Sequence, residues 1–160
     1  RTIVGQQVSV AAADSVWAKL EAEIGSEMAP ERIVEAEFDS LRACGLSRQK
    51  QGYARSLCEL VAAGELDLEN LPRDDEAAIA ELTKIKGIGR WSAEIYLLFA
   101  EGREDIWPAG DLAVQKATGK IVGLDEVPSE KETRAIAEGW RPHRGAMAVF
   151  TWHAYYVPTL

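Results

Sequence analysis

Residues 82–93 read Leu-Thr-Lys-Ile-Lys-Gly-Ile-Gly-Arg-Trp-Ser-Ala, a pattern in which two glycines flank one aliphatic residue. Glycine permits tight backbone turns that a residue with a Cβ resists. We predict that Ile88, with Leu82 and Ile85, anchors such a turn in the core. A helix that begins near Arg90 would then present its first backbone amides outward, as a site for an anion.

A simpler interpretation is a helix C-cap followed by a short loop, because glycine commonly follows a helix end and Lys86-Gly87 alone fits that pattern. The wider spacing favours a helix-hairpin-helix motif, which the following positions fit: Leu82, Ile85, Gly87, Ile88, Gly89, Ser92 and Ala93. This motif indicates contact with DNA phosphates. The residues predicted to make that contact are Gly87, Gly89, Arg90 and Ser92.

The net charge of −8 argues against DNA binding, since non-specific affinity comes largely from lysine and arginine at phosphates. The distribution of charge matters more than its sum. Acidic residues concentrate between Glu59 and Glu81, where Arg73 is the only base. Bases cluster elsewhere in the chain, and the clusters include Arg48, Lys50, Lys84, Lys86, Arg90, Lys116 and Lys120. A hairpin that holds phosphates through backbone amides also needs fewer basic side chains.

The chain of 160 residues suits one all-α domain over residues 1–160, without a run of the roughly 20 apolar residues that span a membrane. Apolar spacing and capping residues predict helices over or near 1–4, 9–24, 30–35, 47–64, 74–83, 90–100, 111 onward, 129 onward and 144–156. A further short helix is predicted around Leu41, with its end at Gly45. The first residue is arginine rather than methionine. We therefore expect the full protein to extend before it.

The two cysteines, Cys44 and Cys58, lie in apolar helical contexts. We predict that they are small buried hydrophobic residues in a reducing compartment, and we favour this over a disulfide. Two cysteines without histidine neighbours cannot complete a zinc or iron–sulfur site.

A loop over residues 106–112, Ile-Trp-Pro-Ala-Gly-Asp-Leu, delivers one carboxylate to a helix start. Aspartate is a preferred N-cap, so Asp111 can be explained by capping alone. Asp111 follows Gly87 by 24 residues, about the length of a helix and a returning loop. This spacing could place its carboxylate beside the hairpin, and a catalytic role stays open next to the capping role.

The hairpin, the later Pro-Ala-Gly-Asp111 and the distance between them resemble the helix-hairpin-helix DNA glycosylase superfamily, most closely its 3-methyladenine DNA glycosylase II branch. The likeness runs from Arg-Thr-Ile-Val-Gly-Gln-Gln-Val-Ser at residues 1–9 to Trp-Arg-Pro-His-Arg-Gly at 140–145 and Trp152. It implies a two-lobed helical bundle with a cleft between the lobes. Many bacterial members carry a β-rich N-terminal domain, of which this chain shows no trace.

The resemblance implies a base-excision repair enzyme for alkylated purines such as 3-methyladenine and 7-methylguanine. Asp111 would stabilise the positive charge that builds on the sugar, and would orient or deprotonate the attacking water. Gln7 would fill the gap left by the flipped base. A polar helix residue that bonds to the backbone is the alternative for Gln7.

Aromatic side chains would line the pocket for the cationic base. Trp91 and Trp152 match pocket tryptophans of the branch, and Tyr96 and Trp107 are weaker candidates, with core packing as the alternative for each. The branch places a tyrosine where this chain has Ile95, which affects the substrate range. Bifunctional relatives place a lysine at the position of Trp91, so the resemblance implies a monofunctional enzyme without strand cleavage.

The resemblance also implies no required cofactor, with a structural Na⁺ or K⁺ on the backbone carbonyls of Thr83, Ile85 and Ile88. We expect a monomer that acts on damaged double-stranded DNA, without a membrane partner, in the cytoplasm near the bacterial nucleoid. His143 and His153 lack a partner pattern for catalysis, and Arg144 is predicted to pair with a core carboxylate. Three alternatives stay open: a glycosylase for another damaged base, a non-catalytic DNA-binding module, or a helical interaction domain.

Overall fold

The structure, a computed structural model, describes residues 1–25 and 27–157, and all regular elements in these ranges are helical. The α-helices are α1 Thr2–Gly5, α2 Val10–Ile24, α3 Pro30–Glu35, α4 Phe38–Ala43, α5 Arg48–Ala62, α6 Asp75–Thr83, α7 Arg90–Phe99, α8 Leu112–Val122, α9 Glu130–Ala137 and α10 Arg144–Tyr156. A short 3₁₀ turn at Glu138–Trp140 was not expected from the sequence. The predicted all-α class is confirmed. Within the described ranges, no helix is both long and apolar enough to cross a membrane.

Side-chain caps start the helices where the sequence predicts them. The Ser47 hydroxyl accepts a hydrogen bond from the backbone amide of Lys50 at the start of α5. The Asp74 carboxylate accepts one from the amide of Ala77 at the start of α6. Ser129 and Glu132 form a capping box at α9. Each cap satisfies a backbone N–H that has no partner within its helix.

The first compact unit comprises residues 1–89. In it α1 packs on α2 and α5, and α3 and α4 pack on α5. One cluster of buried apolar residues in its core comprises Val4, Leu20, Ile24, Leu41, Cys44 and Leu46. Cys44 and Cys58 are free, buried thiols, as predicted. Burial raises the pKa of the Cys58 thiol to about 11, and the nearby carboxylates of Glu31 and Glu59 add to the increase.

The second unit begins at Arg90 and is described to residue 157. Here α8 packs between α9 and α10. One cluster of its core comprises Trp107, Ala109, Val114, Ala137 and Ala148. Two compact units agree with the two lobes that the family resemblance implies.

Arg144 pairs with a carboxylate of the second unit, as predicted. Its Nε and Nη2 donate to the two carboxylate oxygens of Asp105 at 2.8 and 2.9 Å, and Nη1 donates to Glu138 at 3.1 Å. Burial acts to raise the pKa of Asp105, but the hydrogen bonds and charge of Arg144 outweigh it and lower that pKa. The pair ties the loop after α7 to the start of α10.

Candidate functional site

The hairpin turn between α6 and α7 closes through local backbone hydrogen bonds. The Ile85 amide donates to the carbonyl of Leu82 at 3.2 Å, and the Ile88 amide donates to the carbonyl of Ile85 at 3.0 Å. Leu82 and Ile85 are buried, and Ile88 is half-buried. Leu82 and Ile85 are therefore confirmed as apolar anchors in the core, while Ile88 is more accessible than predicted.

The two glycines of the hairpin have different roles. Gly87 has a φ of +81°, and a Cβ built on it would lie 2.3 to 2.4 Å from ring atoms of Tyr53. Both the backbone conformation and the tyrosine therefore require glycine there. A Cβ on Gly89 would meet no heavy atom of the described residues within 4 Å, so Gly89 leaves open space outside the turn.

Two further hydrogen bonds hold the turn within the first unit. The Lys86 amide donates to the Ser56 hydroxyl at 3.1 Å, and Gln6 Nε2 donates to the Gly87 carbonyl at 3.1 Å. Sequence reasoning missed Ser56 and the contact between Tyr53 and Gly87. Tyr53 and Ser56 are three residues apart on α5 and so share a face, but the sequence does not say that the hairpin covers that face.

Gln7 lies in the turn after α1, exposed and with a φ of +57°. Non-glycine residues rarely adopt this conformation, and strained residues of this kind cluster at functional sites. The alternative role, a polar side chain bonded to the backbone, is filled by its neighbour Gln6. The role of Gln7 as a plug stays a prediction, and its placement suits that role.

Asp111, in the second unit, is the N-cap of α8 and has a second contact as well. Its Oδ1 accepts the amides of Ala113 at 2.8 Å and Val114 at 3.1 Å. Its Oδ2 accepts the indole N–H of Trp91 at 3.0 Å. One oxygen therefore serves the helix, while the other is held toward Trp91, so the capping and catalytic interpretations of Asp111 are compatible.

Trp91 is 47% exposed although its indole N–H is fixed on Asp111. An exposed indole beside an oriented carboxylate can stack on a flat cationic group and also hold that carboxylate in place. Tyr96 is half-buried, and burial raises the pKa of its phenol. Trp91 is therefore the best placed of the predicted pocket aromatics.

Trp107 is 3% exposed and packs edge-on against Trp140 with ring centroids 5.2 Å apart. Its indole N–H donates to the carbonyl of Thr133 at 3.2 Å. This burial leaves no ring face open to a base, and it corrects the prediction of Trp107 as a pocket wall. Trp152 is half-buried and stacks on Phe99 at 5.7 Å, so its pocket role stays a prediction.

The remaining residues predicted to bind DNA lie at the start of α7. Arg90 Nε donates to Glu94 at 3.0 Å, and the side chain of Ser92 is buried. Any phosphate contact by Ser92 therefore falls to its backbone. Sequence reasoning missed Glu94, which is 1% exposed and also accepts a hydrogen bond from Arg134. Its spacing of four residues from Arg90 was the available signal.

Two solved structures are similar to this chain. The crystal structure of a DNA-3-methyladenine glycosidase from Bacillus halodurans matches with a TM-score of 0.88 and 32% identity, over 98% of this chain and 73% of that one. The Schizosaccharomyces pombe 3-methyladenine DNA glycosylase Mag1, solved in complex with abasic DNA, matches with a TM-score of 0.80 and 29% identity, over 98% and 80%.

Curated relatives agree with these structures. The chain is 31% identical over 158 residues to DNA-3-methyladenine glycosylase 1 of S. pombe, covering 95% of this chain and 68% of the relative. It is 26% identical over 163 residues to DNA-3-methyladenine glycosylase 2 of Escherichia coli, covering 96% and 55%. The sequence model of the HhH-GPD superfamily base excision DNA repair proteins matches residues 1–142. The chain belongs to this superfamily.

Proposed function

We propose that this protein is a DNA glycosylase that hydrolyses the N-glycosidic bond of alkylated purines in double-stranded DNA. The observation that carries the proposal is the placement of Asp111, whose Oδ2 is free of helix capping and is held by the exposed Trp91. The relatives named above as 3-methyladenine glycosylases support the choice of substrate.

The chemistry needs few groups from the protein. When the bond between C1′ and the purine nitrogen breaks, its electron pair leaves with the base and positive charge builds on the sugar. The carboxylate of Asp111 stabilises that charge and orients a water molecule, whose oxygen bonds to C1′ as one of its protons passes to the carboxylate. An alkylated purine is already cationic, so its departure needs no strong general acid.

The base must leave the helical stack before this reaction. Gln7, exposed at the turn after α1, fills the vacated space, and the hairpin around Gly87 and Gly89 holds the phosphate backbone through its amides. The exposed ring of Trp91 receives the cationic base. Tyr96 and Trp152 are the other aromatic candidates for this pocket.

The reaction leaves the DNA strand intact. A strand-cleaving glycosylase uses an amine that forms a Schiff base with the sugar. Position 91 carries an indole, whose N–H is engaged with Asp111 and which has no nucleophilic amine.

A monovalent cation at the hairpin is a further part of the proposal. Thr83 ends α6, where helix carbonyls lack partners within the helix. The Ile85 carbonyl oxygen already accepts a hydrogen bond from the Ile88 amide. Its second lone pair is available to bind an ion. With the carbonyl of Ile88, these oxygens suit Na⁺ or K⁺, which would rigidify the turn. The protein acts as a monomer and needs no other cofactor.

The test is to incubate the full-length protein with methylated duplex DNA and to measure free 3-methyladenine and 7-methylguanine. We expect release of both bases, with strands that break only after alkaline treatment. Release of a deaminated or oxidised base instead would mean that the substrate is another class of damaged base. DNA binding without release of any base would indicate a non-catalytic module, and the absence of both would indicate a helical interaction domain.

Replacing Trp91 by phenylalanine keeps an aromatic ring but removes the N–H that holds Oδ2 of Asp111. We expect Trp91→Phe to lower the rate of base release about 10-fold, because the carboxylate loses one of its three orienting donors. Single-turnover release measures this effect. Tyr155→Phe, on the exposed end of α10, is the aromatic control, and an equal loss in both variants would contradict the role of the indole N–H.

A further inference from the structure

The guanidinium of Arg134, on α9, joins separate parts of the second unit. Its Nη2 donates to Glu130 Oε1 at 2.8 Å and to Glu94 Oε1 at 3.1 Å. Its Nη1 donates a longer bond, 3.4 Å, to the carbonyl of Trp107. Trp107 starts the turn that leads to Asp111, so Arg134 connects this turn to α7 and to its own helix.

Burial of the Glu94 carboxylate, the partner of Arg134, costs free energy. Glu94 is 1% exposed, and among the described residues its Oε2 has no hydrogen-bond partner. Burial raises the pKa of Glu94, while the charges of Arg134 and Arg90 oppose that increase. Apolar residues of similar volume often stabilise a core as well as a buried ion pair does. This arrangement therefore indicates a role in geometry more than in stability.

One face of α7 is connected at two positions to the turn that runs from Trp107 to Asp111. Trp91 and Glu94 are three residues apart on this helix and so lie on one side of it. Trp91 bonds to the side chain of Asp111, and Glu94 reaches the Trp107 carbonyl through Arg134. The indole of Trp107 is held in turn by the Thr133 carbonyl, next to Arg134 on α9.

We infer that Arg134, held by Glu94, is a positioning residue for the glycosylase reaction. It fixes the backbone at Trp107 and thereby orients the carboxylate of Asp111. In that orientation one oxygen caps α8 and the other accepts the hydrogen bond from Trp91. Neither Arg134 nor Glu94 touches the reacting atoms. The inference rests on the function proposed above and adds the group that orients its carboxylate.

Arg134→Lys separates positioning from charge pairing. A lysine keeps a positive charge beside the buried Glu94, but its single nitrogen cannot reproduce the planar fork that joins Glu94, Glu130 and Trp107. We expect the single-turnover rate of 3-methyladenine release to fall about 10- to 100-fold with little change in the Kd for duplex DNA. Ser129→Ala is the matched control, because it removes the cap of the same helix α9 and leaves the guanidinium in place.

The decisive comparison places Arg134→Lys in an Asp111→Asn background. If Arg134 acts through Asp111, the second substitution changes the residual rate by less than about twofold. A full additional loss would overturn the inference, as would a normal rate in Arg134→Lys alone. Glu94→Gln, which keeps the side-chain volume, repeats the test if Arg134→Lys does not fold.

A readout independent of activity distinguishes this inference from the function on which it rests. The Trp91 indole N–H resonance, assigned by its loss in Trp91→Phe, reports the hydrogen bond to Asp111. We expect it to shift in Arg134→Lys and to stay in place in Ser129→Ala. If the wild-type protein releases no base, the proposed function fails, while this resonance still decides whether Arg134 positions Asp111. An unmoved resonance contradicts the inference.

Discussion

We expect Asp111→Asn to lower the rate of alkylpurine release by at least about 100-fold, the scale expected for one preorganised electrostatic group. The amide carries no charge to oppose the cation that builds on the sugar. It also changes the contact with Trp91. If the asparagine oxygen keeps the cap of α8, its NH₂ group faces the indole N–H, and two donors meet where a donor and an acceptor met before.

The asparagine variant isolates chemistry from folding. Asparagine caps helices about as well as aspartate, so the melting temperature is expected to stay close to that of the wild type. Asp74→Asn is the matched control, since Asp74 caps α6 through the same kind of bond, to the amide of Ala77 at 2.9 Å. It changes an N-cap of the same type at a position outside the proposed chemistry.

Single-turnover release of 3-methyladenine, with protein in excess over methylated duplex DNA, measures the effect. We expect Asp74→Asn to release the base at the wild-type rate. A loss of less than about 10-fold in Asp111→Asn, with the fold intact, would mean that Asp111 is only the N-cap of α8. The catalytic carboxylate would then have to be sought elsewhere.

We expect Gly87→Ala to lower both the stability of the protein and its affinity for DNA. The φ of +81° is unfavourable for alanine, and the new Cβ would overlap the ring of Tyr53. Together these effects are expected to reduce the free energy of unfolding by about 2 to 4 kcal/mol. Because the turn must move to relieve the overlap, its amides lose their alignment toward a phosphate. Thermal unfolding and DNA titration measure the two effects.

Gly64 serves as a control for Gly87, and Gly89 serves as a comparison within the hairpin. Gly64 has a φ of +70°, and a Cβ there would meet no heavy atom of the described residues within 4 Å, so Gly64→Ala carries the backbone strain alone. We expect it to cost about 1 kcal/mol and to leave DNA affinity unchanged. Gly89→Ala meets no described atom either, but its methyl group stands where the phosphate is proposed to approach.

The pair of hairpin variants therefore separates a structural effect from a binding effect. We expect Gly89→Ala to weaken DNA binding with the melting temperature unchanged, and Gly87→Ala to affect both. Full DNA affinity in both variants would contradict the proposed contact between the hairpin and the phosphate backbone.

The local features of this protein could be predicted from its sequence. Caps such as Ser47 and Ser129 act within one turn of helix, and the spacing of apolar residues sets which face of a helix is buried. The hairpin depends on residues close to Gly87 in the sequence, so the sequence also predicts it. The N-cap role of Asp111 could be predicted for the same reason, because capping depends only on the adjacent turn of helix.

Tertiary structure decided which distant side chains meet. Trp91 bonds to Asp111 across 20 residues, Gly87 packs on Tyr53 across 34, and Arg134 pairs with Glu94 across 40. Such contacts depend on how the helices pack. The periodicity of apolar residues predicts which face of a helix is buried, but not which other helix covers that face. For the same reason the exposure of the two tryptophans at positions 91 and 107 could not be predicted from the sequence. Trp107 is enclosed by the core of its unit, while Trp91 keeps an open ring beside the proposed catalytic carboxylate.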